Sequence, residues 1–286
     1  MWLKVTTRKG LQPFLINDEY CSKSGDFLSD NLIDISASLL DGEHTEALAL
    51  QLEPLGFDEP QRSAINLELL FEVWPRTDLL CLVLTDSLLT ADPDVALNYL
   101  ERLLLIVDRG LLLQVLEDDN RRRQFLVILG GSPFLASLFC RRSVFFKQLF
   151  SDGDIDQSLN EEQMLTELRG LIPLDMEPDE CDRLLRCYKA RQFLRIGGRD
   201  LCGLAELEEV TAELSALAAA ALQIAIEFCS YQLQQEYGKP IAEDGDEAEF
   251  TVLGMGKFGG YELNFSSDID LIYCYSTTLG LTSGGN

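Results

Sequence analysis

Apolar residues recur at helical spacing through most of this chain. Leucine, isoleucine and alanine keep to one face in the segments 31–40, 45–55 and 62–74, which are separated by Asp41-Gly42 and by the stretch 56–60 with its glycine and proline. A stripe of that period predicts short antiparallel helices. A further apolar helix is expected over 77–90. Asp92-Pro93 then starts another, running to about Val107, because aspartate accepts from the free N–H groups of a first turn and proline is pre-set for it. Gly110 interrupts the pattern before 111–116, Asp118 or Asp119 stands where a cap is needed, and Ser132-Pro133 opens the segment 134–140. Residues 1–30 lack periodicity and contain Gly10, Pro13 and Gly25, so they read as irregular.

The second half alternates charge and helix. The acidic stretch 151–162 is expected to be a loop; Asp152, Asp154 and Asp156 do not make a calcium loop, which needs glycine at its sixth position. A helix over 182–195 carries Arg183, Arg186, Lys189, Arg191 and Arg195, with Arg199 beyond a Gly197-Gly198 pair that is expected to break it. Pairing with the surplus acids is the first expectation for this basic stripe, and contact with a substrate phosphate the alternative. Arg121, Arg122 and Arg123 open another helix against its dipole and read as a solvated basic face. A long helix with an alanine-rich middle, suited to close packing, runs from Leu204 to Tyr237 and ends at Gly238 and Pro240. Beyond the polar linker 242–249 the pattern turns to strand at 250–253. The fold class is therefore mainly α, with a multi-helix domain over 31–240 and the beginning of a mixed α/β domain over 241–286.

Chemistry concentrates in FTVLGMGKFGGYELNFSSDIDLIYCY, residues 250–275. Four glycines (Gly254, Gly256, Gly259, Gly260) follow the first strand, and Asp268 and Asp270 are expected in a second. Successive strand residues point to opposite faces, so the two carboxylates would project together while Ile269 and Leu271 turn into a core. Paired oxygen ligands suit Mg²⁺, which keeps waters and substrate phosphates in its shell. Glycines let backbone N–H groups approach an anion, and Lys257 adds positive charge. Ser267 is a phosphate ligand or a backbone partner at the strand entrance, and Glu262 and Asn264 are placed to brace the loop.

Composition narrows the partners. The net charge of −25, from 23 basic and 48 acidic residues, opposes non-specific nucleic-acid binding, which depends on neutralising phosphates. Eight scattered cysteines without a Cys-x-x-Cys pair read as reduced core residues. His44, the one histidine, has no triad partner in sight. The N-terminus lacks a continuous apolar core for a signal peptide, and the uncharged run 214–226 is shorter than the roughly 20 residues of a membrane span. A cytoplasmic protein with no membrane partner is expected.

The spacing of Gly256-Lys257 ahead of Asp268-x-Asp270 resembles the nucleotidyltransferase superfamily, with a polymerase β-like fold. More narrowly, GMGKFGGYELNFSSDIDL resembles the signature of the glutamine synthetase adenylyltransferase family, with Phe258 and Tyr261 at its variable positions. ILGGSPFLASLFCRRSVFF and LRIGGRDLCGLAELEEVTAELSALA resemble the same family, the latter through Arg195, Ile196, Arg199, Asp200, Leu201 and Gly203. Met255, Asn264 and Ile269 make the signature similar to the first of the family's two copies, in the N-terminal half, associated with adenylyl removal. The resemblance implies phosphorolysis of adenylyl-tyrosine on glutamine synthetase, giving ADP, in the control of nitrogen assimilation. It implies catalytic and metal-binding roles for Asp268 and Asp270, phosphate or nucleotide contacts at Gly256, Lys257 and Ser267, ATP or ADP as nucleotide, and the PII signalling protein as a second partner.

Two other readings compete. Gly254, Gly256 and Gly259 spell the dinucleotide fingerprint, but only 257–267 are available where a Rossmann unit places a full crossover helix, and position 274 is Cys where a ribose-binding acid is required. The superfamily also has a third carboxylate on a later strand, whereas no acid follows Asp270 here. That leaves a helical interaction module with an incomplete site as the alternative.

Overall fold

The computed structural model describes residues 21–42 and 45–284, so residues 1–20 and His44 lie outside the described residues. Among those described are thirteen α-helices and four short strands, a mainly α fold. They fall into two compact units, divided along the sequence between Asp154 and Ile155. The expected boundary near Pro240 is a change of secondary structure inside the second unit, because the residues after it pack onto the helices before it.

The first unit holds α1 (Cys21–Asp41), α2 (Thr45–Leu52), α3 (Pro60–Val73), α4 (Thr77–Ser87), α5 (Pro93–Leu103), α6 (Arg109–Glu117), α7 (Asp119–Gly131), α8 (Pro133–Arg141) and α9 (Val144–Phe150). α1 starts at Cys21, so 21–30 are helical and not irregular. The capping residues behave as their chemistry requires: Val95 N donates to Asp92 at 2.9 Å, Asn120 and Arg121 N donate to Asp118 at 3.0 and 2.8 Å, and Leu135 N donates to Ser132 at 3.3 Å. α7 packs against α4, α5, α6 and α8. Its Phe125 meets Phe139, Phe146 and Phe150 edge to face, with centroids 5.1–5.9 Å apart, an arrangement aromatic quadrupoles favour.

Arg122 corrects the expectation of a solvated basic face. Its side chain is 1% exposed and donates to Asp86 Oδ2 at 2.7 Å, to Asp119 Oδ1 at 2.7 Å and to Leu116 O at 3.0 Å. Two carboxylates offset the unfavourable helix dipole, and Arg123 reaches Asp86 from outside.

The second unit contains α10 (Glu161–Leu171), α11 (Pro178–Leu201), α12 (Leu207–Tyr237), β1 (Pro240–Ile241), β2 (Phe250–Gly254), α13 (Gly256–Gly259), β3 (Leu271–Tyr275) and β4 (Leu281–Thr282). α10 begins with a full capping box, Asn160 and Gln163 each satisfying the other's backbone. α12 packs on both α10 and α11. By length and composition alone α12 would cross a membrane, but Leu217, Ala220, Ile224 and Phe228 are buried with Met164, Leu168 and Tyr188 in the core of this bundle. The Gly197-Gly198 pair does not break α11. Two glycines cost a helix about 1 kcal/mol each, and charge pairs on both flanks, one buried and one partly buried, hold the helix across them. On the N-terminal flank Arg195 Nη1 donates to Glu213 at 2.7 Å; on the other Arg199 Nη2 donates to Glu209 at 2.5 Å. β2 and β3 are antiparallel, with Phe250 opposite Tyr275 and Gly254 opposite Leu271, and β1 pairs with β4 in the same sense.

Candidate active site

The antiparallel register of β2 and β3 sets the geometry of the glycine and aspartate segment. A dinucleotide fingerprint belongs to a parallel crossover unit, and these strands run in opposite directions. α13 is a single turn inserted at the end of β2, and the chain returns through a loop to β3. β3 starts at Leu271, one residue later than Asp270. The carboxylates therefore sit on the approach to the strand, where Met255 N donates to Asp270 O at 2.9 Å and extends the pairing by one step. Leu271 packs against the core formed by Ile196, Val210, Leu214, Phe258 and Leu263, whereas Ile269 remains exposed.

The glycines divide by role. Gly256 has φ +56°, a left-handed conformation that side chains resist, and a Cβ placed on it would lie 3.9 Å from Asp270 Oδ2. That brings the phosphate-loop residue and one candidate metal ligand together. Gly254 and Gly259 serve packing instead: a Cβ on Gly254 would fall 2.5 Å from the Phe258 ring, and one on Gly259 2.5 Å from Gly254 O. Lys257 is exposed on α13, and its carbonyl accepts from Glu262 N at 2.8 Å.

The polar connector is braced from within. Asn264 Oδ1 accepts from Ser266 N, Ser266 Oγ and Ser267 Oγ at 3.0–3.1 Å, and Asn264 N donates to Ser267 Oγ at 3.3 Å. Ser267 is thus engaged in a local turn. The loop is also fastened to the bundle. Phe258 and Leu263 are buried beneath it, Phe265 meets Phe193 edge to face at 5.5 Å, and Leu263 N donates to Ser215 Oγ at 3.2 Å. Tyr261, at φ +58°, donates its hydroxyl to Glu161 at 3.1 Å, and that bond to a carboxylate holds its pKa above the ordinary tyrosine value. The apolar residues of the connector were visible in the sequence, but their surface was not.

Asp268 and Asp270 are both exposed and share one short segment. Two carboxylate donors with room for water and phosphate suit Mg²⁺, which is commonly held by one or two carboxylates plus substrate oxygens. Among the described residues no third His, Cys, Asp or Glu joins them.

The basic stripe of α11 resolves into ion pairs. Arg183 pairs with Glu180, Arg186 with Asp182, Arg191 with Glu167, Arg195 with Glu213 and Arg199 with Glu209. The ion-pairing expectation holds for these arginines, with Arg195 and Arg199 drawn inward to carboxylates of α12. Lys189 is different: its ammonium lies 5.0 Å over the Phe193 ring, with no carboxylate partner among the described residues.

A family model described as glutamate-ammonia ligase adenylyltransferase matches residues 122–286. The chain is similar to the bifunctional glutamine synthetase adenylyltransferase/adenylyl-removing enzyme of Shewanella woodyi, at 40% identity over 158 residues, 55% of this chain and 16% of that protein. The proteins of the same name from Thioalkalivibrio sulfidiphilus and Pseudomonas aeruginosa are 36% identical over 166 residues and 35% identical over 158. These matches cover 58% and 55% of this chain but only 17% and 16% of the relatives. The chain thus spans about one sixth of the length of the curated relatives it matches.

Proposed function

The chain belongs to the glutamate-ammonia ligase adenylyltransferase family, and on that premise we propose that residues 250–275 contribute to an adenylyl-removing site. Its substrate would be glutamine synthetase carrying AMP on a tyrosine. The fold around it would be the beginning of a polymerase β-like nucleotidyltransferase domain. In the reaction an oxygen of inorganic phosphate attacks the adenylyl phosphorus, the bond from phosphorus to the tyrosyl oxygen breaks, and that oxygen takes its electron pair and then a proton. The products are ADP and the free tyrosine.

The observation that supports this reading is the approach of Asp270 to Gly256 at the mouth of the β2 and β3 hairpin. Asp268 and Asp270 would hold Mg²⁺, which when bound supplies positive charge against the phosphate oxygens. Gly256 and Lys257 would present backbone N–H and ammonium groups to the incoming phosphate. Ser267 would act through the turn it builds with Asn264, keeping Asp268 in place. The packing of Phe258 and Leu263 on α11 and α12 would keep the loop from shifting, which matters because a displaced reactive group loses rate steeply. A cytoplasmic location, control by the PII protein and the absence of nucleic-acid or membrane partners complete the proposal.

The test supplies the intact protein with AMP-modified synthetase, phosphate and Mg²⁺ and follows ADP. Asp268→Asn and Asp270→Asn should each lower ADP formation by at least about 100-fold. Unchanged rates in both variants would sink the assignment.

The lack of a third carboxylate among the described residues favours a second reading, in which this region is a helical interaction module. The 286-residue chain should then bind the synthetase as tightly with both aspartates replaced by asparagine as without the changes. Loss of binding in that double variant counts against it.

A further inference from the structure

Two faces meet in the second unit without closing. On α12, Leu214, Leu217, Ala218, Ala221 and Leu222 follow the spacing of one helical face, and on α11 Lys189 and Phe193 lie one turn apart. Between these faces and the loop carrying Asp268 is a cleft of about 590 Å³. Its origin is legible in the alanine run of α12. Ala216 and Ala220 are buried in close packing, as expected of small residues, but Ala218 and Ala221 face the cleft, where their short side chains leave the space open.

The lining is that of a small-molecule site. Such sites are typically about 300–1,000 Å³, mostly apolar, with a few polar groups at defined points. Here the aliphatic wall is continuous along α12, while the polar groups come from α11 at Arg186, Tyr188 and Lys189 and from the loop at Asn264, Ser267 and Asp268; of the two cations, Arg186 is paired with Asp182. The charge is informative too. In a chain of net charge −25, a lysine lining this cleft without a carboxylate partner among the described residues is suited to an anion.

We propose that this cleft binds the purine nucleotide, with the base against Leu217, Ala221, Leu222 and Phe193 and the phosphates toward Lys189 and Asp268. The inference rests on the adenylyl-removing reading and adds to it a location for the base and a phosphate contact on a helix that precedes the signature. Phe193 adds an aromatic wall to the cleft, and the Lys189 ammonium, 5.0 Å over that ring, places a positive charge beside it.

Calorimetric titration of the 286-residue chain with ADP, adenosine or inorganic phosphate, each with Mg²⁺, tests this against Ala221→Phe, which fills the cleft, and Lys189→Met, which removes the charge. ADP affinity should fall at least about tenfold in each variant. Adenosine should weaken only in Ala221→Phe and phosphate only in Lys189→Met. ADP binding of unchanged affinity in both variants, or no binding to the parent chain, overturns the proposal. So does a synthetase peptide bearing the tyrosine, should it lose affinity in Ala221→Phe while ADP does not. If Ala221→Phe fails to fold, the exposed Lys189→Met decides through ADP and phosphate alone. The two readings separate in the intact protein: ADP formation abolished by Asp268→Asn but with normal KM in Lys189→Met and Ala221→Phe removes the cleft proposal and leaves the adenylyl one, whereas full activity in Asp268→Asn removes both.

Discussion

Leu263 donates its backbone N–H to Ser215 Oγ at 3.2 Å, across 48 residues of sequence, and the Ser215 hydroxyl in turn donates a hydrogen bond to Thr211 O at 2.8 Å. One buried hydroxyl on α12 therefore ties down the loop that leads to Asp268. Ser215→Ala would leave the Leu263 N–H buried without an acceptor, which costs about 1–3 kcal/mol. Urea denaturation should show a lower midpoint for the variant at an unchanged slope. An unaltered midpoint would mean that the loop finds another anchor.

Arg195 and Glu213 present the deepest charge pair in the second unit, with side chains 1% and 5% exposed. Arg195 also donates to Gln157 O at 2.6 Å and to Gln192 at 2.7 Å. Glu213→Leu leaves the guanidinium buried and unpaired, at a cost of about 3–5 kcal/mol. The double variant Arg195→Met with Glu213→Leu should recover at least about 1 kcal/mol of that loss, because both desolvated charges are gone. Chemical denaturation of the four members of the cycle measures the coupling, and a double variant no more stable than Glu213→Leu contradicts it.

Neighbouring glycines in the signature should respond unequally. A Cβ on Gly259 would press into the backbone carbonyl of Gly254 at 2.5 Å, so Gly259→Ala must push α13 away from β2. The expected loss is about 1–3 kcal/mol, with reduced ADP formation if the site is as proposed. Gly260 has φ −88° and its nearest neighbour would be 3.6 Å away, an ordinary contact. Gly260→Ala should stay within about 0.5 kcal/mol of the parent in a thermal melt.

Arg169 donates to both oxygens of Glu227, at 3.1 and 2.5 Å, and these bonds hold the Glu227 carboxyl below its ordinary value. A carboxyl whose folded pKa is lowered adds stability above its unfolded pKa and loses it as pH falls through the folded one. The pair is partly exposed, so solvent screens it and its contribution is small. Arg169→Met should therefore be slightly less stable than the parent at neutral pH, and the difference should close as the pH is taken down to about 3. A gap that persists in acid would assign the effect to lost packing.

The aspartate pair shows how far local chemistry carries. Asp268 and Asp270 stand out in sequence because carboxylates two apart beside glycines have few structural uses, and the helix caps at Asp92, Asp118 and Ser132 follow from the residues that precede each first turn. The break expected at Gly197-Gly198 was misleading for the same reason: glycine's helix penalty is local, whereas the Arg195 and Arg199 pairs that outweigh it reach Glu213 and Glu209 on another helix. Arg122 was misread likewise, since its partner Asp86 lies 36 residues away.

By itself, then, the sequence determined most of the helices, the caps at Asp92, Asp118 and Ser132 and the mainly α class, since each depends on contacts within a few residues. Tertiary structure alone decided the antiparallel register that separates β2 and β3 from a dinucleotide unit. It alone showed which glycines pack and which one turns, and which cation of α11 escapes pairing. It also opened the cleft beside Asp268, a space bounded by side chains from α11, α12 and the loop, which no single stretch of sequence contains.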